Sequence, residues 1–116
     1  MGERRVVMLV DDDDGVRYGV RSLLEVLGCE VLEADDGARA TELFDANAER
    51  VALVLLDREM PGMAGDEVLA LLRARRADVP IVVTSGHDLD ALPADVRVLA
   101  KPFGIEELEG LLNGST

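Results

Sequence analysis

The chain has 116 residues, of which 48% are hydrophobic and 31% are charged, a composition typical of one globular domain spanning residues 1–116. No apolar run approaches the length of a membrane span and the amino terminus has no signal-peptide pattern, so we expect a soluble, cytoplasmic protein. The formal net charge of −12 argues against direct binding to nucleic acid or to an anionic membrane, and it favours a protein or a cation as partner.

Short apolar segments alternate along the chain with segments in which apolar residues recur at helical spacing. The apolar segments predict five strands, at residues 6–10, 31–32, 51–56, 79–83 and 96–99. The helical spacing predicts helices across residues 16–27, 40–44, 68–72 and 108–112. The stretch from His87 to Asp95 has weak helical character and predicts a short or irregular helix before the last strand.

The alternation of strands and helices indicates the fold class. The first, third and fourth apolar segments lack polar alternation, as expected of central parallel strands covered by helices on both faces. Right-handed crossovers between such strands build a parallel sheet. We therefore predict an α/β, doubly wound, five-stranded parallel sheet of the flavodoxin-like type, with strand order 2-1-3-4-5 and a binding site beyond the carboxyl ends of the strands.

Polar side chains follow four of the predicted strands. They are Asp11 to Asp14 after the first strand, Asp57 at the end of the third, Thr84 and Ser85 after the fourth, and Lys101 after the fifth. At one edge of the sheet, these carboxylates, hydroxyls and ammonium would suit a hard cation and a phosphoryl group. Mg²⁺ would relieve the repulsion between the acidic groups, while Asp57 and Lys101 would supply a nucleophile and a positive charge for phosphoryl transfer.

Some of these residues also have purely structural interpretations. An acidic run before a helix commonly caps that helix, and we interpret Asp13 and Asp14 in this way. Lys101 is the only lysine among 12 basic residues. A compact ammonium can reach a single phosphoryl oxygen where a guanidinium demands planar geometry, although a chance position for one lysine stays open.

Four short motifs occur in order along nearly the whole chain. They are an acidic segment with Arg17 (residues 10–17), a segment with Met60-Pro61-Gly62 and Gly65 (residues 55–65), a strand ending in a hydroxyl (residues 80–86), and Lys101-Pro102-Phe103. Together these motifs resemble the receiver domain of two-component response regulators. By its distance from Pro80, the switch hydroxyl of that family matches Ser85 and not Thr84.

The resemblance implies a signalling function. Asp57 would accept a phosphoryl group from a phosphohistidine on a histidine kinase or a phosphotransfer domain, and the domain would signal through a conformational change without acting as a turnover enzyme. That partner would dock near the first helix and residues 102–104. An effector or a second copy of the chain is a further partner that the resemblance allows.

The resemblance also implies a set of site residues. Mg²⁺, or Mn²⁺, would be held by the side chains of Asp12 and Asp57 and by the backbone carbonyl of Glu59, with Asp11 acting largely through water. Lys101 and Ser85 would hold phosphoryl oxygens. The bond between Lys101 and Pro102 would be cis, which is uncommon for prolyl bonds.

Two positions, Val98 and Glu59, depart from the family pattern. Val98 stands where the family often has an aromatic switch residue, so the usual inward rotation of a ring is not expected. Glu59 follows the acceptor by two residues, and we expect its side chain, without metal, to pair with Lys101 or to repel the acidic cluster. Glu59 and His87 match positions that influence acyl-phosphate hydrolysis in the family, although His87 alone is more typical of a loop residue.

Other functions are weighed against the receiver interpretation. A phosphatase of the haloacid-dehalogenase type also uses a strand-end aspartate, but it needs a second aspartate where this chain has Glu59, and its metal-binding acids come late in the chain. A pseudo-receiver keeps the fold without phosphorylation, but usually lacks the acceptor, an acidic residue or the lysine. A stand-alone regulator and a receiver of a hybrid kinase both stay open.

Overall fold

The computed structural model describes residues 4–86 and 95–113. Within them, five strands form one parallel sheet in the order β2-β1-β3-β4-β5, which confirms the predicted fold. The predicted helix between His87 and Asp95 lies almost wholly outside the described residues. The elements, in chain order, are β1 Val6–Val10, α1 Asp14–Val26, β2 Glu30–Ala34, α2 Gly37–Asn47, β3 Val51–Asp57, α3 Gly65–Arg75, β4 Ile81–Ser85, β5 Arg97–Ala100 and α4 Ile105–Leu112.

Helices cover both faces of the sheet. Because the side chains of a strand point alternately to opposite faces, neighbouring residues of β1 pack against different helices. In β1, Met8 belongs to a buried apolar cluster that includes Phe44 of α2 and Leu72 of α3. Its neighbour Leu9 belongs to a second cluster, which includes Leu24 of α1 and residues of α4. The longest described helix has 13 residues, and none of the described helices has the length and apolarity that a membrane crossing requires.

Local hydrogen bonds fix both ends of α1. The side chain of Asp13 accepts a hydrogen bond from the backbone N–H of Val16 at 3.0 Å, which confirms its interpretation as a helix cap. At the other end Gly28 has a φ of 89°, and the N–H of Cys29 donates to the carbonyl of Leu24 at 3.0 Å, a Schellman arrangement. The cap at Asp13 and the turn at Gly28 therefore set the bounds of α1 at Asp14 and Val26.

The start of α3 lies directly against the end of β3. A Cβ atom at Gly65 would lie 2.5 Å from the carbonyl oxygen of Asp57 and 2.6 Å from the Cα of Arg58. The N–H of Gly65 donates to the carbonyl of Arg58 at 3.1 Å. Only glycine permits this approach, so the backbone around Asp57 is held by the helix that follows it.

Candidate functional site

Three aspartates converge at the carboxyl ends of β1 and β3, which are neighbouring strands. Asp11 follows β1 and Asp57 ends β3, and their exposed fractions are only 3% and 2%. Asp12 is exposed to solvent. One carboxylate oxygen from each of the three lies within 4.8 Å of the other two. The cluster predicted from the sequence is therefore present.

Lys101 brings its ammonium between the two buried carboxylates. Its Nζ lies 3.2 Å from Asp11 Oδ2 and 3.2 Å from Asp57 Oδ1. The backbone N–H of Lys101 donates to the carbonyl of Ser85 at 2.8 Å, which fixes the chain beyond β5 against the end of β4. The bond between Lys101 and Pro102 is cis, as predicted.

The buried charges shift the titration of Asp57 and Lys101. Burial, followed by the charge of Asp11, raises the pKa of Asp57 to about 6, although Lys101 and the N–H of Glu59 act in the opposite direction. Burial alone lowers the pKa of Lys101, but the charges of Asp11 and Asp57 outweigh it and raise that pKa. The ammonium thus offsets only part of the negative charge that the carboxylates create.

The acidic cluster has the chemistry of a site for a hard divalent cation. Such ions bind carboxylate and carbonyl oxygens. One carboxylate oxygen each from Asp11, Asp12 and Asp57 lies within 4.8 Å of the other two, so these residues could hold such a cation together. The backbone of Glu59 lies beside them, since its N–H donates to Asp57 Oδ1 at 3.1 Å.

A hydroxyl and a carboxylate meet on the β4 side of the site. Ser85 ends β4 with an exposed fraction of 1%, and its hydroxyl donates to Oε2 of Glu59. The N–H of Gly86 donates to Oε1 of the same carboxylate at 3.2 Å. Glu59 is bonded to Ser85 and Gly86, and its expected pairing with Lys101 is not seen, because the ion pairs of Lys101 within the described residues are with Asp11 and Asp57. Repulsion between Glu59 and the acidic cluster stays a prediction. His87 lies outside those residues.

Arg17 supports the loop that carries Asp11 and Asp12. Its guanidinium donates to the backbone carbonyl of Asp11 at 2.8 Å, to Glu33 at 3.1 Å and to Asp14 at 2.7 Å. The sequence places Arg17 in a motif but assigns it no role. Glu33 has no sequence signal at all, since it contacts Arg17 only after β2 has paired with β1.

Comparisons with known proteins agree with this geometry. The family model described as "Response regulator receiver domain" matches residues 7–113. A sensor kinase CckA of Brucella abortus (strain 2308) is 37% identical over 108 residues, which are 88% of this chain and 11% of that protein. A response regulator MprA of Mycobacterium sp. (strain KMS) is 39% identical over 110 residues, 88% of this chain and 46% of that protein. The chain thus spans less than half the length of either relative.

A solved structure supports the same assignment. The crystal structure of the receiver domain from the hybrid histidine kinase CckA superposes with a TM-score of 0.83 at 32% identity, and the match covers 94% of this chain and 96% of that one. The family match, the relatives and the fold agree over nearly the whole chain. The chain belongs to the family of response regulator receiver domains, the signalling domains of two-component systems.

Proposed function

We propose that Asp57 is the phosphoacceptor of this receiver domain and that the reaction depends on Mg²⁺ or Mn²⁺. The observation that carries the proposal is the buried Asp57 carboxylate at the end of β3, with the ammonium of Lys101 at 3.2 Å and two further aspartates beside it. A phosphoryl transfer needs an in-line nucleophile and positive charge close to the equatorial oxygens. Asp57 would supply the nucleophile and Lys101 the positive charge.

The proposed metal ligands are the side chains of Asp12 and Asp57 and the carbonyl of Glu59, with Asp11 acting largely through water. The spacing of the three carboxylates supports this set. When bound, the cation would neutralise charge on the carboxylates and on the incoming phosphoryl oxygens. It would also lower the pKa of Asp57 from about 6 and keep that carboxylate ionised.

In the proposed reaction, a carboxylate oxygen of Asp57 attacks the phosphorus of a phosphohistidine. The new bond joins that oxygen to phosphorus, the bond from phosphorus to the imidazole nitrogen breaks, and the departing nitrogen takes up a proton. Lys101 would turn from its present ion pairs to one phosphoryl oxygen, and the hydroxyl of Ser85 would donate to another. Burial of Asp57 would keep bulk water from the acyl phosphate.

The proposed partner is a histidine kinase or a phosphotransfer domain, acting in the cytoplasm. An apolar groove beside Lys101 supports a docking position between α1 and the loop after β5, and its lining includes Val16, Gly19, Leu23 and Phe103. The same groove is consistent with the docking site expected from the sequence. An effector or a second copy of the chain would receive the signal, and the net charge of −12 disfavours direct contact with nucleic acid or an anionic membrane.

Intact-mass measurement tests the proposal. The protein is incubated with Mg²⁺ and acetyl phosphate, and separately with a phosphohistidine donor, beside an Asp57→Asn control. One added phosphoryl group on the wild type and none on the variant is the expected result. If neither donor adds a phosphoryl group to the wild type, the chain is a pseudo-receiver that keeps the fold without phosphorylation.

A further inference from the structure

The carboxylate of Glu59 is held by two donors at the end of β4. The hydroxyl of Ser85 donates to one of its oxygens, and the N–H of Gly86 donates to the other at 3.2 Å. The backbone of Glu59 donates to Asp57 Oδ1 at 3.1 Å, so the same residue is anchored beside the proposed acceptor. The two donors therefore bind one anionic group immediately next to Asp57.

A phosphoryl group on Asp57 would use the hydroxyl of Ser85, as proposed above, and the adjacent amide of Gly86 would face the same anion, because both donors already hold one carboxylate. A serine hydroxyl and a backbone amide each have a single proton to donate, so neither can bond fully to Glu59 and to a phosphoryl oxygen at once. Hydrogen bonds to an ionised acceptor are the stronger kind, which makes the carboxylate of Glu59 an effective competitor. Its negative charge would also repel the phosphoryl oxygens if it stayed in place.

We propose that Glu59 is a built-in competitor for the phosphoryl-oxygen site, and that its carboxylate must leave Ser85 and Gly86 before a phosphoryl group can occupy them. This inference rests on the function proposed above. Glu59 is exposed and lies outside the strands and helices, so its side chain can leave without opening the core. Glu59 thus lowers the affinity of the site for any tetrahedral anion attached to Asp57.

Beryllofluoride, which mimics a phosphoryl group on an aspartate, tests the proposal at saturating Mg²⁺. Calorimetric titration would compare the wild type with Glu59→Ala and Glu59→Gln. Loss of a charge-assisted hydrogen bond predicts about tenfold tighter binding by Glu59→Ala. Glu59→Gln should bind with intermediate affinity, because its amide oxygen still accepts a hydrogen bond but carries no charge.

A matched variant separates this competition from a general effect of charge. Glu67 lies exposed in the first turn of α3 and makes no side-chain hydrogen bond or ion pair within the described residues. Glu67→Gln removes the same charge as Glu59→Gln and should bind beryllofluoride as the wild type does. Equal tightening by both glutamine variants would overturn the proposal.

A second measurement needs neither metal nor anion. In metal-free protein, the amide proton of Gly86 should exchange with solvent several times faster in Glu59→Ala than in the wild type, because it loses its acceptor. Equal beryllofluoride affinities of wild type and Glu59→Ala would overturn the competitor role and leave the function of Asp57 intact. Failure of every variant to bind beryllofluoride would overturn both.

Discussion

The site combines a buried set of residues and an exposed set, and the two sets are held differently. The buried set is Asp11, Asp57 and Ser85, each at or next to the carboxyl end of a central strand and at most 3% exposed. The exposed set is Asp12 and Glu59, which lie in the loops that follow. Strand pairing holds the buried set in place although its carboxylates repel each other. The side chains of the exposed set can move with little loss of free energy. The proposed acceptor and the proposed phosphoryl-binding hydroxyl therefore belong to the first set, whereas the second set contributes a proposed metal ligand and the proposed competitor for the phosphoryl site.

Removal of the Lys101 ammonium should have the largest effect on the buried set. Lys101→Met would leave the carboxylates of Asp11 and Asp57 without a counter-ion, and unpaired buried charges are strongly destabilising. We expect the free energy of unfolding to fall by about 2–4 kcal/mol in metal-free buffer at pH 8, measured by urea denaturation. Within the time that the wild type needs to become phosphorylated on Asp57, Lys101→Met should show no detectable phosphorylation.

An exposed ion pair provides the control for Lys101→Met. Arg39 pairs with Glu42 at 3.0 Å, and the two side chains are 54% and 72% exposed. Arg39→Met should change the free energy of unfolding by less than about 0.5 kcal/mol. If Lys101→Met costs no more than this control, the carboxylates of the buried set do not depend on the ammonium.

Neutralising Asp57 should stabilise the metal-free fold. Its folded-state pKa is raised from 3.8 to about 6, so the folded state binds more protons than the unfolded state between those pH values. The free energy of unfolding of the wild type therefore falls as pH rises through this window, and the loss is complete only well above the folded-state pKa of about 6. At pH 8, Asp57→Asn should be more stable than the wild type by about 2–3 kcal/mol, and at pH 4 by much less.

Urea denaturation at several pH values measures this difference, and Mg²⁺ should cancel it. Cation binding to the folded wild type stabilises it by mass action, while the variant offers one carboxylate fewer. Asp45→Asn is a suitable control, because Asp45 is 57% exposed and pairs with Arg75 at the surface. A gain for Asp57→Asn that is the same at pH 4 and pH 8 would contradict the assignment of the raised pKa.

A methyl group at Gly65 should disturb the buried set through the backbone. The added Cβ would lie 2.5 Å from the carbonyl of Asp57, so α3 or the end of β3 must shift. Gly65→Ala should lower the free energy of unfolding by about 1–3 kcal/mol and weaken Mg²⁺ binding. A Cβ at Gly110 in α4 would meet no atom of another element within 4 Å, so Gly110→Ala should instead stabilise the protein by about 0.5–1 kcal/mol. Equal effects of the two variants on urea denaturation would contradict the close approach.

Sequence patterns predicted the fold and the buried set well, since apolar runs and strand-end residues are local signals. They were less accurate at strand ends, where polar residues are buried or where burial is only partial. The fourth strand was predicted at residues 79–83 but runs from Ile81 to Ser85, because Thr84 and Ser85 are polar yet buried in the sheet. The second strand was predicted at residues 31–32 but runs from Glu30 to Ala34, and its half-exposed positions admit charged residues.

The partner of Glu59 could not be predicted from sequence. A loop carboxylate bonds to whichever donors lie nearest in space, and Ser85 and Gly86 are more than twenty residues away along the chain. The sequence suggested pairing with Lys101 or repulsion of the acidic cluster. In the structure two buried carboxylates hold the ammonium of Lys101, and Glu59 accepts hydrogen bonds from the hydroxyl of Ser85 and the amide of Gly86.

Arg17 offers the subtlest test, because charge and position predict opposite signs. Removing a cation beside an acidic cluster should tighten Mg²⁺ binding by electrostatics alone. If Arg17 instead holds the backbone of Asp11 in place through its 2.8 Å hydrogen bond, Arg17→Met should weaken Mg²⁺ binding by about tenfold, measured by calorimetry. Arg21 pairs with the same Glu33 at 2.8 Å but donates no hydrogen bond to Asp11. Arg21→Met should therefore leave Mg²⁺ affinity unchanged or raise it slightly. Tighter Mg²⁺ binding by both variants would mean that Arg17 acts only through its charge and does not position Asp11.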